Sequence, residues 1–484
     1  MSVLAAACDR AGILACSGGQ TARPRLLLAA TILASSLAFI DGSVVNVGLP
    51  AVGRSLHVGG DALPWVVNAY LLPLSALLLF GGAAGDRFGR RRLLVIGIVV
   101  FGLASAACAA AQSLPALLLA RGAQGAGAAL LLPNSLAILG GAFSGEARGR
   151  AVGVWAAVGA MAGAIGPVLG GWLIDTTGWR AIFLINLPIA AGAILLSIAA
   201  VPETRDDARA PLDWLGAALA TLGLGALAWG LTEGSGPGGW SLTPVALLGA
   251  GAGLLVAFGV VQHRKGEAAM MPLAMFASRE FLGLTLLTLL DYGALGGLLV
   301  LIPYELIGAG GYGATAAGAA LLPFPILMAV GAPFLGAVAG RIGARIPLAA
   351  GSLVIAAGLL LALRIGPDFD VWTNVLPALV VIAIGMSGVA APLTTAVLSS
   401  VDARHTGSAS GLNSAVARAG GLVATALLGG VLARRGAALT AGVHVAVLAC
   451  AAACLAGAVL GFVLIRGRGP SGAPDARRPL AAAD

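Results

Sequence analysis

The sequence predicts an all-α integral membrane protein with fourteen transmembrane helices. Of its 484 residues, 59% are hydrophobic and only 10% are charged, whereas a soluble globular chain carries about a quarter charged residues. A membrane span needs about 20 predominantly apolar residues, and fourteen such runs follow one another along the chain. They lie near 25–48, 63–84, 93–112, 115–140, 151–173, 181–200, 213–231, 243–262, 281–303, 315–338, 347–364, 373–398, 407–433 and 439–465.

The basic residues predict the orientation of these spans. Of the 28 Lys and Arg residues, 21 fall in the tails and the even-numbered loops, five fall on the opposite side, and Arg121 and Arg418 lie within spans. Short loops rich in Lys and Arg stay on the cytoplasmic side of a membrane. We therefore expect a multi-pass protein of the cytoplasmic membrane with both termini in the cytoplasm. The same bias accounts for the net charge of +8, so no nucleic-acid partner is expected.

An internal repeat predicts how the spans are grouped. The loop Gly82–Arg92 carries Asp86 and four arginines, and a weaker copy at 340–345 places Arg341 254 residues after Arg87. Six spans at about 32 residues each need only about 200 residues, so the excess fits two inserted helices between two six-helix bundles. The predicted parts are a disordered cytoplasmic tail at 1–24, an N-terminal bundle at 25–200, a segment at 201–280 with the inserted helices 213–231 and 243–262, a C-terminal bundle at 281–465, and a cytoplasmic tail at 466–484.

Two aspartates lie deep within predicted spans. The repeat offset maps Asp41 onto position 295, one helical turn from Asp291, so each half begins with a helix that carries one buried acid. A carboxylate in a low-dielectric site can take up and release protons near neutral pH. We therefore predict that Asp41 and Asp291 handle protons. The alternative is an aspartate paired permanently with Arg121 or Arg418 as a structural bridge.

Other polar residues within the spans are candidates for a functional site. Arg121 is expected to modulate proton binding by a nearby acid, and a snorkelling arginine near the cytoplasmic face is the alternative. Several polar and aromatic side chains could line a substrate cavity, with ordinary packing as the alternative for each. These are Asn46, Trp65, Asn68, Tyr70, Gln124, Asn134, Asn186, Tyr292 and Arg418.

The sequence argues against several other classes of protein. The five cysteines form no CxxC pair and the four histidines form no cluster, so we expect no metal, no disulfide and no cofactor. No GxxxxGK[ST] loop is present, which leaves a proton gradient rather than ATP as the expected energy source. No Ser/His or His-rich constellation indicates an enzyme, and no soluble stretch exceeds about 25 residues, which argues against a receptor or sensor.

Three motifs resemble those of the major facilitator superfamily. Gly82-x-x-x-Asp86-Arg87-x-Gly89-Arg90-Arg91 matches its loop between helices two and three, although Gly85 stands where alanine is usual. Arg121-x-x-Gln124-Gly125-x-Gly127 is similar to its fourth-helix motif. Gly166-Pro167-x-x-Gly170-Gly171 resembles the fifth-helix signature of its antiporters, although Ala162 stands where glycine is usual.

Two further stretches are similar to one branch of that superfamily. Asp41–Pro50 and Trp179–Pro188 resemble the fourteen-helix drug:proton antiporters, whose extra helix pair also falls in mid-chain, and the likeness runs from about residue 25 to 465. It implies export of drugs by alternating access, in which two bundles rock around a central cavity. It also implies that the Asp86 loop stabilises the outward-facing state, that the glycines and Pro167 seal the bundles against leak, and that Asp41 carries the proton inward.

The resemblance also implies the partners. The expected substrate is a small lipophilic drug or natural product, and two acids in a cavity favour a cationic or neutral amphiphile over an anion. We expect a monomer in the lipid bilayer that is not an enzyme. A dedicated exporter of one endogenous metabolite is the alternative within transport.

Overall fold

The described part of the chain is built from fourteen long helices. The computed structural model describes residues 23–205, 212–266, 269–366, 370–402 and 405–465, so nearly all of both predicted tails lies outside it. Within these ranges the chain is helical between short loops, which confirms the predicted all-α class. The helices are α1 Pro24–Leu56, α2 Pro64–Phe88, α3 Arg90–Ala110, α4 Leu114–Ala142, α5 Gly145–Thr177, α6 Ala181–Ala200, α7 Trp214–Ser235, α8 Leu242–Lys265, α9 Arg279–Gly308, α10 Ala314–Ile342, α11 Arg345–Arg364, α12 Val371–Ser399, α13 Thr406–Ala426 and α14 Ala437–Leu464.

Helix α13 differs from the other helices in its composition. In the described ranges, 13 helices are long and apolar enough to cross a membrane, and α13 is not among them. It ends at Ala426, before a one-turn helix Gly429–Leu432, rather than running through the predicted span at 407–433. The prediction of a continuous apolar span there is therefore wrong. The physical reason is that α13 packs against four other helices, α2, α7, α9 and α12. A helix surrounded by protein can carry polar residues that lipid would not accept.

Several helices are longer than hydropathy predicts. Helices α1 and α5 each contain 33 residues, or about 50 Å at 1.5 Å per residue, whereas the hydrocarbon core is about 30 Å thick. Hydropathy marks only the part of a helix that lies in lipid. The helices continue through Arg54 in α1 and through Glu146 and Arg150 in α5.

The helices pack in two groups that meet mainly along three pairs of helices. Helices α2 and α3 pack against α4, and α1 packs against α5 and α6. In the second group α9 packs against α13 and α14, and α11 packs against α12 and α14. The groups meet where α1 contacts α9, α2 contacts α13, and α5 contacts α10. We call the face with the loops after even-numbered helices the even-loop face, and the opposite one the odd-loop face.

The inserted pair α7 and α8 lies outside these groups and is anchored on α2. Helix α7 packs against α8, α2 and α13. Two aromatic pairs join α7 to α2, with ring centroids 6.1 Å apart for Trp65 and Trp229 and 4.6 Å apart for Phe80 and Trp214. Trp65 therefore packs against the inserted pair at this contact, which fits the packing alternative considered for it.

A buried acid at the start of α7 ties the inserted pair together. Asp213 is 4% exposed and accepts hydrogen bonds from Lys265 Nζ at 2.5 Å, Gln262 Nε2 at 2.6 Å and the Gly216 N–H at 2.8 Å. Gln262 Oε1 accepts the Met271 N–H at 2.9 Å. Burial alone would raise the pKa of Asp213, but these hydrogen bonds and the charge of Lys265 outweigh it and hold the pKa below its ordinary value.

Substitution of Asp213 by asparagine should loosen this pair. The variant keeps the shape but leaves Lys265 without its counter-ion, which should cost about 1–3 kcal/mol of stability. Because the pKa of Asp213 is lowered on folding, the wild-type advantage should be complete near neutral pH and should vanish once acid protonates the carboxylate. Thermal unfolding of the purified protein across pH measures this, with Asp61→Asn as the control. Equal unfolding of wild type and Asp213→Asn at neutral pH would contradict it.

Candidate functional site

An ion pair lies at the centre of the first group of helices. Arg121 Nη1 of α4 donates to Asp41 Oδ2 of α1 at 2.5 Å, and the two side chains are 1% and 0% exposed. Arg121 therefore does not snorkel toward the surface. Of the two pairings considered for Asp41, the structure contains the one with Arg121 and not the one with Arg418.

Three neutral side chains complete a polar cluster around this pair. Gln124 Nε2 donates to Asp41 Oδ1 at 2.7 Å, and Asn186 Nδ2 lies 3.3 Å from the same oxygen. The same two amide nitrogens lie 2.9 and 3.3 Å from Ser105 Oγ. We call Asp41, Ser105, Arg121, Gln124 and Asn186 the polar cluster. Its members come from α1, α3, α4 and α6, so it links four helices of one group.

Local sequence explains why α4 can supply two members of the polar cluster. Arg121 and Gln124 are three residues apart and therefore lie on one helix face, and Arg121 Nη1 lies 2.7 Å from Gln124 Oε1. At Gly125 an added Cβ would meet the backbone carbonyl of Tyr70 on α2. This close approach brings the Tyr70 ring within 4.4 Å of the Arg121 guanidinium carbon and the Val66 carbonyl within 3.0 Å of Arg121 Nε.

The polar cluster makes the contact between α1 and α4 depend on a buried ion pair. A buried ion pair is stable only while both partners are charged and hydrogen-bonded, and removal of one partner costs about 3–5 kcal/mol. A proton on Asp41 would remove the counter-ion of Arg121 and leave that guanidinium with Val66, Gln124 and the Tyr70 ring. The arrangement can therefore convert a protonation event into a change in the contact between α1 and α4.

A cavity of about 540 Å³ opens toward the even-loop face. It lies between α2, α4 and α13, with Trp155 of α5 on one wall. Asp86 in the last turn of α2, Asp213 at the end of the loop after α6 and Met270 in the loop after α8 lie at its mouth. Arg418 of α13 lies at its inner end. Gly82 and Asp86 of the predicted gating loop thus border this cavity.

Most of the predicted cavity residues lie elsewhere. Arg418 lines the cavity, whereas Asn46, Trp65, Asn68, Gln124, Asn134 and Tyr292 do not. Asn134 Nδ2 donates to the Gly81 carbonyl at 3.0 Å, and Asn68 is fully buried with no partner for its amide. The sequence could not show which face of each polar helix is turned toward the cavity.

Asp291 lies apart from both the polar cluster and the cavity. It is 0% exposed on α9, and Ser352 Oγ of α11 donates to its Oδ2 at 2.6 Å. Its Oδ1 has no hydrogen-bond partner. Because no arginine pairs with Asp291 in the described ranges, the alternative of a structural salt bridge does not apply here. Proton handling by Asp291 stays a prediction.

The predicted gating loop is tied to the segment after α6. Asp86 and Arg90 form an ion pair at 2.9 Å. Glu203 accepts the backbone N–H groups of Arg91 and Arg92 at 3.1 Å each, and so places a carboxylate at the N-terminus of α3. Gly89 has φ +110, a backbone conformation that favours glycine.

Sequence reasoning missed Glu203, although an acid close to a helix end was visible in the sequence. We predict that Glu203→Ala destabilises the start of α3 by about 0.5–2 kcal/mol, the usual cost of a lost helix cap. The transport rate should fall with it because the α2–α3 loop loses its fixed position. Thermal unfolding and transport assays measure the two effects. The control is Glu146→Ala, at a side chain that is 85% exposed, and it should change neither thermal stability nor transport rate. Equal behaviour of the two variants would contradict the role of Glu203.

The fifth-helix motif packs at the odd-loop face, where the two groups of helices are in contact. An added Cβ at Gly166 or Gly170 would meet Ser43 or Val44 of α1, and one at Gly171 would meet the Ala314 carbonyl of α10. In return, Gly318 of α10 packs against the carbonyl of Pro167. The motif therefore brings α5 against both α1 and α10.

Asp175 strengthens this contact, and the sequence did not single it out. Its carboxylate accepts the N–H groups of Ala314 and Thr315 at 3.2 and 2.8 Å, and the Thr315 hydroxyl at 2.6 Å. It caps the first turn of α10 from the end of α5. The groups are thus joined at the odd-loop face while the cavity opens at the even-loop face.

Comparison with known proteins agrees with this architecture. A family model described as Major Facilitator Superfamily matches residues 31–277 and 284–483. The chain belongs to the Major Facilitator Superfamily. This confirms the family and the fold class predicted from the motifs. A crystal structure of a POT family transporter in complex with 5-aminolevulinic acid shares the fold, with a TM-score of 0.69 at 14% identity over 92% of this chain and 96% of that one.

Two superfamily members illustrate the relatives of this chain. It is 36% identical over 415 residues to "Multidrug resistance protein Stp" of Mycobacterium tuberculosis (strain CDC 1551 / Oshkosh), covering 84% of this chain and 76% of the relative. It is 31% identical over 422 residues to "Tetracenomycin C resistance and export protein" of Streptomyces glaucescens, covering 87% and 78%. This superfamily member is therefore a multi-pass membrane protein similar to resistance and export proteins.

Proposed function

We propose that this protein exports lipophilic drugs or natural products across the cytoplasmic membrane in exchange for protons. The observation that carries the proposal is the buried Asp41–Arg121 pair, with atoms 2.5 Å apart, in a fold with a cavity that opens toward the even-loop face. The names of the relatives in drug resistance and export support it. The protein would act as a monomer, without a cofactor and without chemical change to the substrate.

The excess of basic residues on the even-loop face supports placing that face in the cytoplasm. In that orientation the cavity would be accessible from the cytoplasm, and Asp41 would be ionised in its pair with Arg121. Substrate enters past Asp86 and Asp213. The contact between α5 and α10 then opens and the cavity closes at the α2–α13 contact, which exposes the substrate to the outside.

The proton drives the return. From the outside it reaches Asp41 and neutralises it, which releases Arg121 from its counter-ion. Helix α1 is then free to move relative to α4, and the empty transporter returns to the state that opens to the cytoplasm. There Asp41 loses its proton and pairs with Arg121 again. Because the substrate-bound and the protonated forms are the ones that change state, proton influx is coupled to export.

Transport into everted membrane vesicles tests the proposal. Vesicles that contain the protein and vesicles from the same cells without it receive an imposed pH gradient, acid inside, and a panel of fluorescent lipophilic probes. We expect accumulation that depends on the protein and collapses when a protonophore is added. Equal accumulation in the two vesicle types for every probe, or accumulation that resists the protonophore, would contradict the proposal.

A dedicated exporter of one endogenous metabolite is the second candidate. The relative named for tetracenomycin C resistance and export favours it, because that name refers to a single compound. Competition among the probes separates the two candidates. A multidrug exporter should show mutual inhibition by chemically unrelated probes, whereas a dedicated exporter should respond to one chemical class only.

A further inference from the structure

Arg418 is the basic side chain at the inner end of the cavity. Among the described residues that line the cavity, it is the only one that is basic. Its Nε atom is buried and has no hydrogen-bond acceptor. The guanidinium of arginine stays protonated in proteins, so the cavity contains a permanent positive charge at its inner end.

The nearby acids are already paired with other residues. Asp86 pairs with Arg90 at 2.9 Å, Asp213 with Lys265 at 2.5 Å, and Asp41 with Arg121 at 2.5 Å. No ion pair in the described part of the chain includes Arg418. A charge in such a site is costly unless it faces water or a partner, and the side of Arg418 that faces the cavity is where a partner can enter.

The rest of the cavity would suit the body of an aromatic molecule. Leu78, Leu79 and Leu132 contribute apolar surface, and Phe39 and Trp155 form an aromatic wall with ring centroids 5.8 Å apart. The Trp155 indole N–H already donates to Ser35 Oγ at 2.9 Å, so this residue offers its ring and not its donor. The cavity therefore combines an apolar, aromatic wall with one cationic end.

We propose that Arg418 binds an anionic group, such as a carboxylate or a phenolate, on an otherwise lipophilic aromatic substrate. The proposal rests on the proposed function and names the substrate class of the same cavity. It reverses the expectation of a cationic or neutral substrate. That expectation assumed that Asp41 and Asp291 face the cavity, and neither does. The planar fork of a guanidinium matches a carboxylate in a bidentate hydrogen bond.

Three probes that share one aromatic body test the inference. They are 1-pyrenebutyrate, 1-pyrenebutanol and 4-(1-pyrenyl)butyltrimethylammonium, which differ only in the charge of the head group. Their uptake into everted vesicles is measured for wild type, Arg418→Gln, Arg418→Lys and the control Arg264→Gln, which removes an exposed arginine of α8. We expect Arg418→Gln to lower uptake of the butyrate by about tenfold or more and to spare the other two probes. Arg418→Lys should retain part of the butyrate uptake.

Two outcomes would overturn the inference. One is wild-type uptake of the alcohol or the cation without uptake of the butyrate. The other is an equal loss of uptake for all three probes in Arg418→Gln, which would assign Arg418 to coupling or folding. Absence of uptake for every probe by wild type counts against the proposed function, and equilibrium dialysis of purified protein with 1-pyrenebutyrate then decides the inference. Tighter binding to wild type than to Arg418→Gln supports it, and equal binding refutes it.

Discussion

Replacement of Asp41 by asparagine is expected to abolish accumulation driven by a pH gradient while leaving substrate exchange without a gradient intact. Asparagine can still accept a hydrogen bond from Gln124, whose Nε2 lies 2.7 Å from Asp41 Oδ1, but it cannot carry a proton. The transporter should therefore change state without coupling that change to proton movement. Everted vesicles measure accumulation, and equilibrium exchange of labelled probe in proteoliposomes measures uncoupled turnover.

The variant also leaves Arg121 buried without a counter-ion, so its fold must be checked. Loss of one partner of a buried pair costs about 3–5 kcal/mol, and thermal unfolding shows whether the protein survives it. Asp41→Glu, which keeps the charge, is the matched control and should retain part of the coupled accumulation. Unchanged gradient-driven accumulation in a folded Asp41→Asn protein would contradict the role of Asp41.

Replacement of Gly171 by alanine should have the second large effect, because one methyl group would separate α5 from α10. The added Cβ would meet the backbone carbonyl of Ala314, which cannot turn away as a flexible side chain can. Overpacking of this kind costs about 1–3 kcal/mol, and every 1.4 kcal/mol is about tenfold in an equilibrium. We expect the contact at the odd-loop face to open and transport to fall about tenfold.

Cysteine labelling reports this opening directly. Ala317 of α10 is 0% exposed, so Ala317→Cys should resist a membrane-impermeant maleimide in the parent protein and react in combination with Gly171→Ala. Gly153→Ala is the control on the same helix, since an added Cβ there meets nothing within 4 Å. Equal protection of the cysteine in both backgrounds, together with normal transport, would show that the α5–α10 contact does not seal this face.

Much of the helical architecture can be predicted from the sequence, because lipid imposes a simple requirement on each helix that it surrounds. Apolar runs of sufficient length identify every long helix of the described chain. For α13, however, they predict an apolar span that the helix does not form. That helix contains Asn413 and Arg418 and packs against other helices. It therefore does not need the high hydropathy that contact with lipid requires. Helix ends are also missed, since α1 and α5 continue as regular helices beyond the hydrocarbon core.

The candidate site could be predicted only in part. The buried charges Asp41 and Arg121 were visible because each is costly in lipid, yet their contact joins residues 80 apart in the chain. The sequence analysis considered a pairing of Asp41 with either Arg121 or Arg418, but no local sequence pattern selects between these two arginines. The cavity could not be predicted, because which face of a polar helix borders an open space depends on how neighbouring helices pack.

Three acids near helix ends escaped the sequence analysis for a common reason. Asp175, Glu203 and Asp213 each accept backbone N–H groups at the start of a helix, which in two of the three cases is far away in the chain. A loop acid acts as a cap only when folding brings it to such an end. The sequence shows that these acids lie near predicted helix ends, but it does not show which helix end each of them caps.

Proton release on substrate binding tests the central claim most directly. Purified protein in a weakly buffered solution is mixed with a transported probe, and a pH-sensitive dye records protons released while binding proceeds. If substrate binding expels the proton from Asp41, wild type should release protons when binding begins from the protonated form, and Asp41→Asn, which has no such proton, should bind the probe without release. Substrate binding to wild type with no proton release at any pH, or equal release from the variant, would contradict the account.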